Sequence, residues 1–188
     1  AEDGIRYRSP SRGLGDVYKR QVYDNRQEIQ DALYKDFKKP RVEVDMAEIY
    51  VTLDHAKHTL KNLKFWMKPE RVLSSFPAFF SKSQIEYYPK GTCLIISPWN
   101  YPFQLTISPL ISAIAAGNCA ILKHSSQTPL CAEQLDKAAK SCGLPEGVFQ
   151  FLHLDHKSTS KIISDKRIDH VLFTGSVSGG KEVKRSLV

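Results

Sequence analysis

The sequence predicts an α/β protein, a parallel sheet covered by helices on both faces and preceded by two helices. Three observations lead there. From residue 92 onward, short apolar runs such as Thr92-Cys93-Leu94-Ile95-Ile96 alternate with stretches of helical period. Repeated strand–helix alternation implies right-handed crossovers and parallel strands. Before residue 68 the apolar residues recur every three to four positions, as in amphipathic helices.

The elements follow in order. Residues 1–21 hold Gly, Pro, Ser and Arg without hydrophobic period and read as a disordered or foreign segment. Ile29, Leu33 and Phe37 define one face of a helix starting near Asp24-Asn25, which Lys39-Pro40 ends. A longer helix is expected from Asp45 to Met67, with Met46, Ile49, Leu53, Leu60, Leu63 and Met67 as its apolar stripe and a charged opposite face. Phe76-Pro77-Ala78-Phe79-Phe80 is an aromatic loop. Core packing is the plain expectation for it, and a substrate or membrane contact the alternative. Residues 83–88 alternate like a strand, and Pro89-Lys90-Gly91 is a turn. Strands are then expected at 92–97, 118–123, 148–152 and 169–174. Helices are expected at 103–116, 129–141, 158–164 and from 177. Pro109 is expected to kink or unwind its helix. Thr128-Pro129 reads as an N-cap followed by Pro at the first helical position, and Gly143 as the residue after a helix end.

Composition narrows the function. With 188 residues, 41% hydrophobic and 25% charged, the chain can bury a core and has the make-up of a soluble globular protein. Its +7 formal charge is scattered, with no basic block or recognition motif, so nucleic acid is not an expected partner. No apolar run nears the ~18 residues of a membrane span, and no secretory signal opens the chain. Cys93, Cys119, Cys131 and Cys142 have no metal-ligand spacing and read as reduced, buried thiols of an intracellular protein. His55 and His58 lie one helical turn apart without a third ligand nearby, so no metal site is expected. His153 and His156 are expected only to solvate a loop.

The chemistry concentrates at three strand ends. Ser97-Pro98-Trp99-Asn100-Tyr101-Pro102 follows the strand at 92, and its prolines fix a backbone that aims a neutral carboxamide beyond the strand. Lys123 ends the second strand, and Thr174-Gly175-Ser176 ends the last. In a parallel sheet all three lie at the carboxyl edge, where ligands bind. A carboxamide, an ammonium and a Gly-Ser helix start suit a phosphorylated ligand, with Gly175 allowing close backbone approach. Each has a plainer use: Asn100 capping the helix at 103, Lys123 as a solvated strand end, Ser176 as an N-cap. No GxGxxG follows any strand, since Gly175-Ser176-Val177-Ser178-Gly179-Gly180 misses that spacing, and there is no Walker A motif.

At these residues the chain resembles the aldehyde dehydrogenase superfamily. Pro98-Trp99-Asn100-Tyr101-Pro102-Phe103 is similar to its PWN-aromatic-P segment. Ala115-Ala116-Gly117-Asn118, Leu122-Lys123 and Gln127-Thr128-Pro129-Leu130 resemble the next stretch. Gly143-Leu144-Pro145-Glu146-Gly147-Val148 looks like its GxPxGV turn, and Phe173-Thr174-Gly175-Ser176 with Gly180 like FTGSxxxG. The two leading helices look most like the shorter, fatty-aldehyde-type members, whereas 1–21 resemble nothing in the family. The resemblance implies a three-layer α/β/α Rossmann-like domain over 22–188 as part of a cofactor domain. It also implies NAD or NADP as cofactor and a small-molecule aldehyde oxidised to a carboxylic acid. It makes Asn100 the oxyanion donor. Ser97, Pro98 and Trp99 would line the cofactor cleft, Lys123 would hold the adenosine ribose, and Gly175 and Ser176 would meet the pyrophosphate.

Departures from the pattern carry their own expectations. Many NAD-preferring members have Glu where this chain has Ser126, so less repulsion toward a 2′-phosphate is expected and NADP is tolerated. His124 replaces a common Pro or small residue, and Leu154 and Asp155 replace common glycines. The family's nucleophilic Cys and general-base Glu lie downstream of the FTGS segment, so the chain is expected to lack the catalytic domain and to be inactive alone. A full-length homo-oligomer, cytoplasmic or associated peripherally with an organelle membrane, is the partner expectation. The competing reading is a stand-alone, non-catalytic nucleotide-binding or interaction module.

Overall fold

A computed structural model describes residues 23–78, 80–141 and 144–187. The expected disorder of 1–21 and the role of Gly143 lie outside these residues. Helix α1 spans Arg26–Phe37 and buries Ile29 and Leu33. Lys38, in the left-handed region at φ 62°, closes it, and Pro40 opens the next helix. That helix, α2, is continuous over Arg41–Glu43, a π-helical segment Val44–Tyr50, and Val51–Trp66. No local pattern signals the π turn. Its i→i+5 bonding advances the inward face by one residue. Val44, Glu48, Ile49, Thr52, Leu53 and Ala56 are therefore buried, while Met46 and Met67, expected in the stripe, are exposed.

A short antiparallel ladder follows, β1 Glu70–Val72 with β2 Ser83–Ile85. The strand expected over 83–88 thus ends at Ile85, where its partner ends, and the loop between the two is not core. Phe76 is 84% and Phe80 90% exposed; Phe79 lies outside the described residues.

The main sheet contains β3 Thr92–Ile96, β4 Cys119–Lys123, β5 Phe149–Leu152 and β6 His170–Phe173. All pairs are parallel, in spatial order β5-β4-β3-β6. Intervening helices are α3 Gln104–Ala115, α4 Pro129–Ser141, α5 His156–Ile163 and α6 Val177–Ser186. Alternate strand residues serve opposite faces. Ile95, Ala120, Leu122 and Leu172 pack under Phe103, Ile107, Leu110, Cys131 and Leu135, with Ile29, Leu33 and Leu53 of the leading helices in the same cluster. Leu94, Ile96, Ile121, Val171 and Phe173 pack beneath Ile163 and Val183. The layers are helix, sheet, helix, as expected. α3 runs unbroken through Pro109, held by burial of Thr106, Ile107 and Leu110 around it, and the expected unwinding is absent. Cys93 and Cys131 are buried, but Cys119 is exposed, against expectation.

Candidate functional site

Strand register builds the site. Ile96 pairs with Lys123 on one side and Phe173 on the other, and Lys123 pairs with Leu152, so four carboxyl ends lie level. The chain runs outward from β3 through β4 to β5, then returns to place β6 on the far side of β3. The crevice beyond β3 and β6 is a topological switch point, the ligand position of open α/β sheets. Ser97–Asn100 and Thr174–Ser176 leave from its two sides.

The loop after β3 is held from below. The Asn100 carbonyl accepts from Lys39 Nζ at 2.9 Å. The same ammonium lies 2.6 Å from Glu48 Oε1 and 3.7 Å from the centre of the Tyr101 ring. Glu48 Oε2 accepts from the Phe103 and Gln104 N–H groups at 2.7 and 3.3 Å. Glu48 therefore caps α3, and the capping role considered for Asn100 belongs to a residue of the π segment. Burial pushes the Glu48 carboxyl up, against the pull of Lys39 and the two N–H groups. Asn100 is exposed, and its carboxamide has no hydrogen-bond partner among the described residues. Trp99, 48% exposed, meets the Phe37 ring edge-on at 5.8 Å.

Beside the loop lies a buried polar network. Thr106 Oγ1 donates to the Pro102 carbonyl at 2.6 Å and sits 2.7 Å from Ser97 Oγ. His124 places Nδ1 3.2 Å from that hydroxyl and Nε2 3.0 Å from Thr128 Oγ1. Desolvation, with smaller contributions from His153 and Lys123, pulls the His124 pKa down to about 4. The Ser97 side chain is thus committed to the protein, while Pro98 is half-buried at the cleft. Thr128 turns to His124 and leaves the start of α4 to Asp36. The Asp36 carboxylate accepts from Leu130 and Cys131 N–H at 3.2 and 2.9 Å.

At the second strand end, Lys123 is buried, and its ammonium has no hydrogen-bond or ion-pair partner among the described residues. Burial lowers its pKa. Ser126 beyond it is exposed. At the fourth, Ser176 caps α6, taking the Gly179 N–H on its Oγ at 3.1 Å. Gly175 has an internal reason as well as its expected external one: an added Cβ would stand 2.6 Å from Phe173 Cζ. The register brings Asn100, Lys123, Gly175 and Ser176 to one edge. Sequence reading missed Asp36, Phe37, Lys39 and Glu48. The only local signal was the Asp-Phe-Lys-Lys-Pro run, which read merely as a helix end. Among the described residues no group of three or more His, Cys, Asp or Glu is placed to hold a metal, and no helix is long and apolar enough to cross a membrane.

Known proteins share this fold. A sequence profile of the aldehyde dehydrogenase family matches residues 17–187, beginning inside the segment that resembled nothing in the family. Fatty aldehyde dehydrogenase HFD1 of Saccharomyces cerevisiae is 34% identical over 86% of this chain and 31% of its own length. The 4,4'-diaponeurosporen-aldehyde dehydrogenase of Staphylococcus aureus is 40% identical over 83% of this chain and 34% of its own. The chain thus spans about a third of these curated relatives. A solved structure of Staphylococcus aureus AldH in a substrate-bound state superposes with a TM-score of 0.86 at 36% identity, covering 92% of this chain and 37% of that one. A succinic semialdehyde dehydrogenase from Streptococcus pyogenes, solved with NADP+, has a TM-score of 0.84 at 20% identity, covers 94% of this chain and 38% of its own, and supports the fold alone. The free carboxamide on a clamped backbone and the bare lysine at the next strand end stand in a chain that belongs to the aldehyde dehydrogenase family.

Proposed function

We propose that the protein encoded by the open reading frame containing this chain oxidises an aldehyde to a carboxylic acid with NAD or NADP, and that Asn100 donates to the aldehyde oxygen. The observation that carries this reading is the Asn100 carboxamide: exposed, without a protein partner among the described residues, on a backbone held by a buried ammonium. A neutral N–H donor fits an oxygen that gains negative charge as the carbonyl is attacked. The residues present suit a dinucleotide. Lys123 offers an unspent ammonium to ribose hydroxyls, and Gly175-Ser176 turn into a helix start suited to a pyrophosphate. When bound, the dinucleotide accepts the hydride. Ser97 shapes the cleft through its bond to Thr106, and Trp99 and Pro98 wall it.

The nucleophile and general base belong, on this reading, outside the described residues. Cys93 and Cys119 stand at the amino ends of β3 and β4, across the sheet from Asn100. Cys131 is fully buried, and desolvation first, then Glu48 and Asp36, raises its thiol pKa well above the ordinary value.

The test is NAD(P)H formation by the full-frame protein with a panel of aldehydes. Asn100→Ala should lower kcat by about 10²–10³-fold with cofactor affinity unchanged. Absence of turnover with every aldehyde, or an Asn100→Ala protein as fast as the parent, overturns the reading. Ser126 supports tolerance of NADP, and Ser126→Glu should move preference toward NAD. A strong NAD preference that Ser126→Glu leaves unchanged refutes that part.

A further inference from the structure

We propose that Lys39 and Glu48 are positioning residues for Asn100, a buried ion pair that fixes the backbone at Asn100 and just after it. The inference rests on the reading of Asn100 as oxyanion donor and adds what holds it in place. Asn100 sits exposed on the seven-residue loop 97–103 between β3 and α3, and a loop does not hold a side chain to a fraction of an ångström by itself. Here it is gripped twice. Lys39 takes the Asn100 carbonyl at 2.9 Å, and Glu48 takes the Phe103 N–H at 2.7 Å, three residues on. The two grips are joined by the 2.6 Å bond between ammonium and carboxylate, whose side chains are 2% and 0% exposed.

Stability alone is a weak reason for such a pair. Desolvating two charges offsets most of their attraction, and apolar or neutral replacements are often tolerated. Geometry is the stronger reason. Among the described residues, every charge-assisted contact of the pair is either mutual or made to residues 100–104, except the 3.7 Å approach of Glu43 and the 5.7 Å approach of the Phe37 ring to the Lys39 ammonium. Fixing the carbonyl of Asn100 holds its Cα in place, and so the point from which the carboxamide leaves.

A double-mutant cycle in the full-frame protein tests this. Lys39→Met with Glu48→Gln removes the charges together and keeps an acceptor for the Phe103 N–H, so no buried charge is stranded. In the Asn100 background it should lower kcat about 100-fold, the scale of a 1 Å misplacement, with the cofactor dissociation constant unchanged. In the Asn100→Ala background the same pair of changes should cost almost nothing further, because the group it positions is gone. Lys39→Arg, which keeps the charge and should fold readily, serves as the second variant, with a smaller loss that also vanishes when Asn100 is Ala. Rates are taken per cofactor-binding site so that a smaller folded fraction does not imitate lost catalysis. Equal losses in both backgrounds, or no loss in the Asn100 background, overturn the positioning role while leaving Asn100 as donor. An Asn100→Ala protein with full kcat overturns the donor reading itself, and the positioning role with it.

Discussion

Lowering the pH should destabilise this chain through His124, and the structure sets the size of the effect. The ring is 4% exposed, between the hydroxyls of Thr106 and Thr128. Either hydroxyl can rotate to accept, so a protonated ring would not lose its hydrogen bonds. The cost is burial of the charge, added to the nearby charges of His153 and Lys123. Above the ordinary value of 6.5 the ring is neutral in folded and unfolded chains alike. Below it, the unfolded chain takes up a proton that the folded chain refuses until about pH 4. Stability is therefore lost as pH falls from 6.5 to about 4 and levels off beneath. A depression of that size corresponds to about 3 kcal/mol, a large share of the ~5–15 kcal/mol that holds a domain folded. The assay is urea unfolding by tryptophan fluorescence at neutral and acid pH, for the parent and for His124→Gln. All other titrations cancel in the difference, so the parent should lose about 3 kcal/mol more than the variant. Parallel losses in both chains would refute the reasoning.

Two further outcomes follow from packing. Asp36→Ala removes the carboxylate that closes the start of α4, and should lower unfolding stability by about 1–2 kcal/mol; an unmoved urea midpoint removes that capping role. Gly91→Ala sets a Cβ 2.1 Å from Asp169 Oδ2 at a φ of 122°, and displaces a carboxylate that accepts the Thr92 N–H at 2.8 Å. A loss of about 1–3 kcal/mol is expected, read as a lower melting temperature, and an Ala variant as stable as the parent would show that the turn relaxes freely.

The parallel sheet was legible because its strands are short apolar runs between strong turn signals, and their ends named Asn100, Lys123, Gly175 and Ser176 directly. The leading helices were legible as helices but not as part of the site. Lys39 and Glu48 are charged residues in a charged stretch, and nothing local distinguishes a buried pair from a solvated one. Their partners lie 61 and 55 residues away. Thr128 failed for a similar reason: a cap residue beside Pro at a helix start satisfies the local rule, while a carboxylate from another helix takes the N–H groups instead. Glu70–Val72 carries no apolar alternation and was found only through its pairing with Ser83–Ile85.

The stretch Asp36–Lys39 ties two distant parts of the molecule, the start of α4 and the loop after β3, to one short run of chain. Asp36 reaches α4, Phe37 meets Trp99, and Lys39 grasps the Asn100 carbonyl. A single-residue insertion or deletion there would throw all three anchors out of step together. The front helices and the loop after β3 consequently assemble or fray in concert, and amide exchange at α1 should keep pace with exchange in the first turn of α3 instead of following its own course.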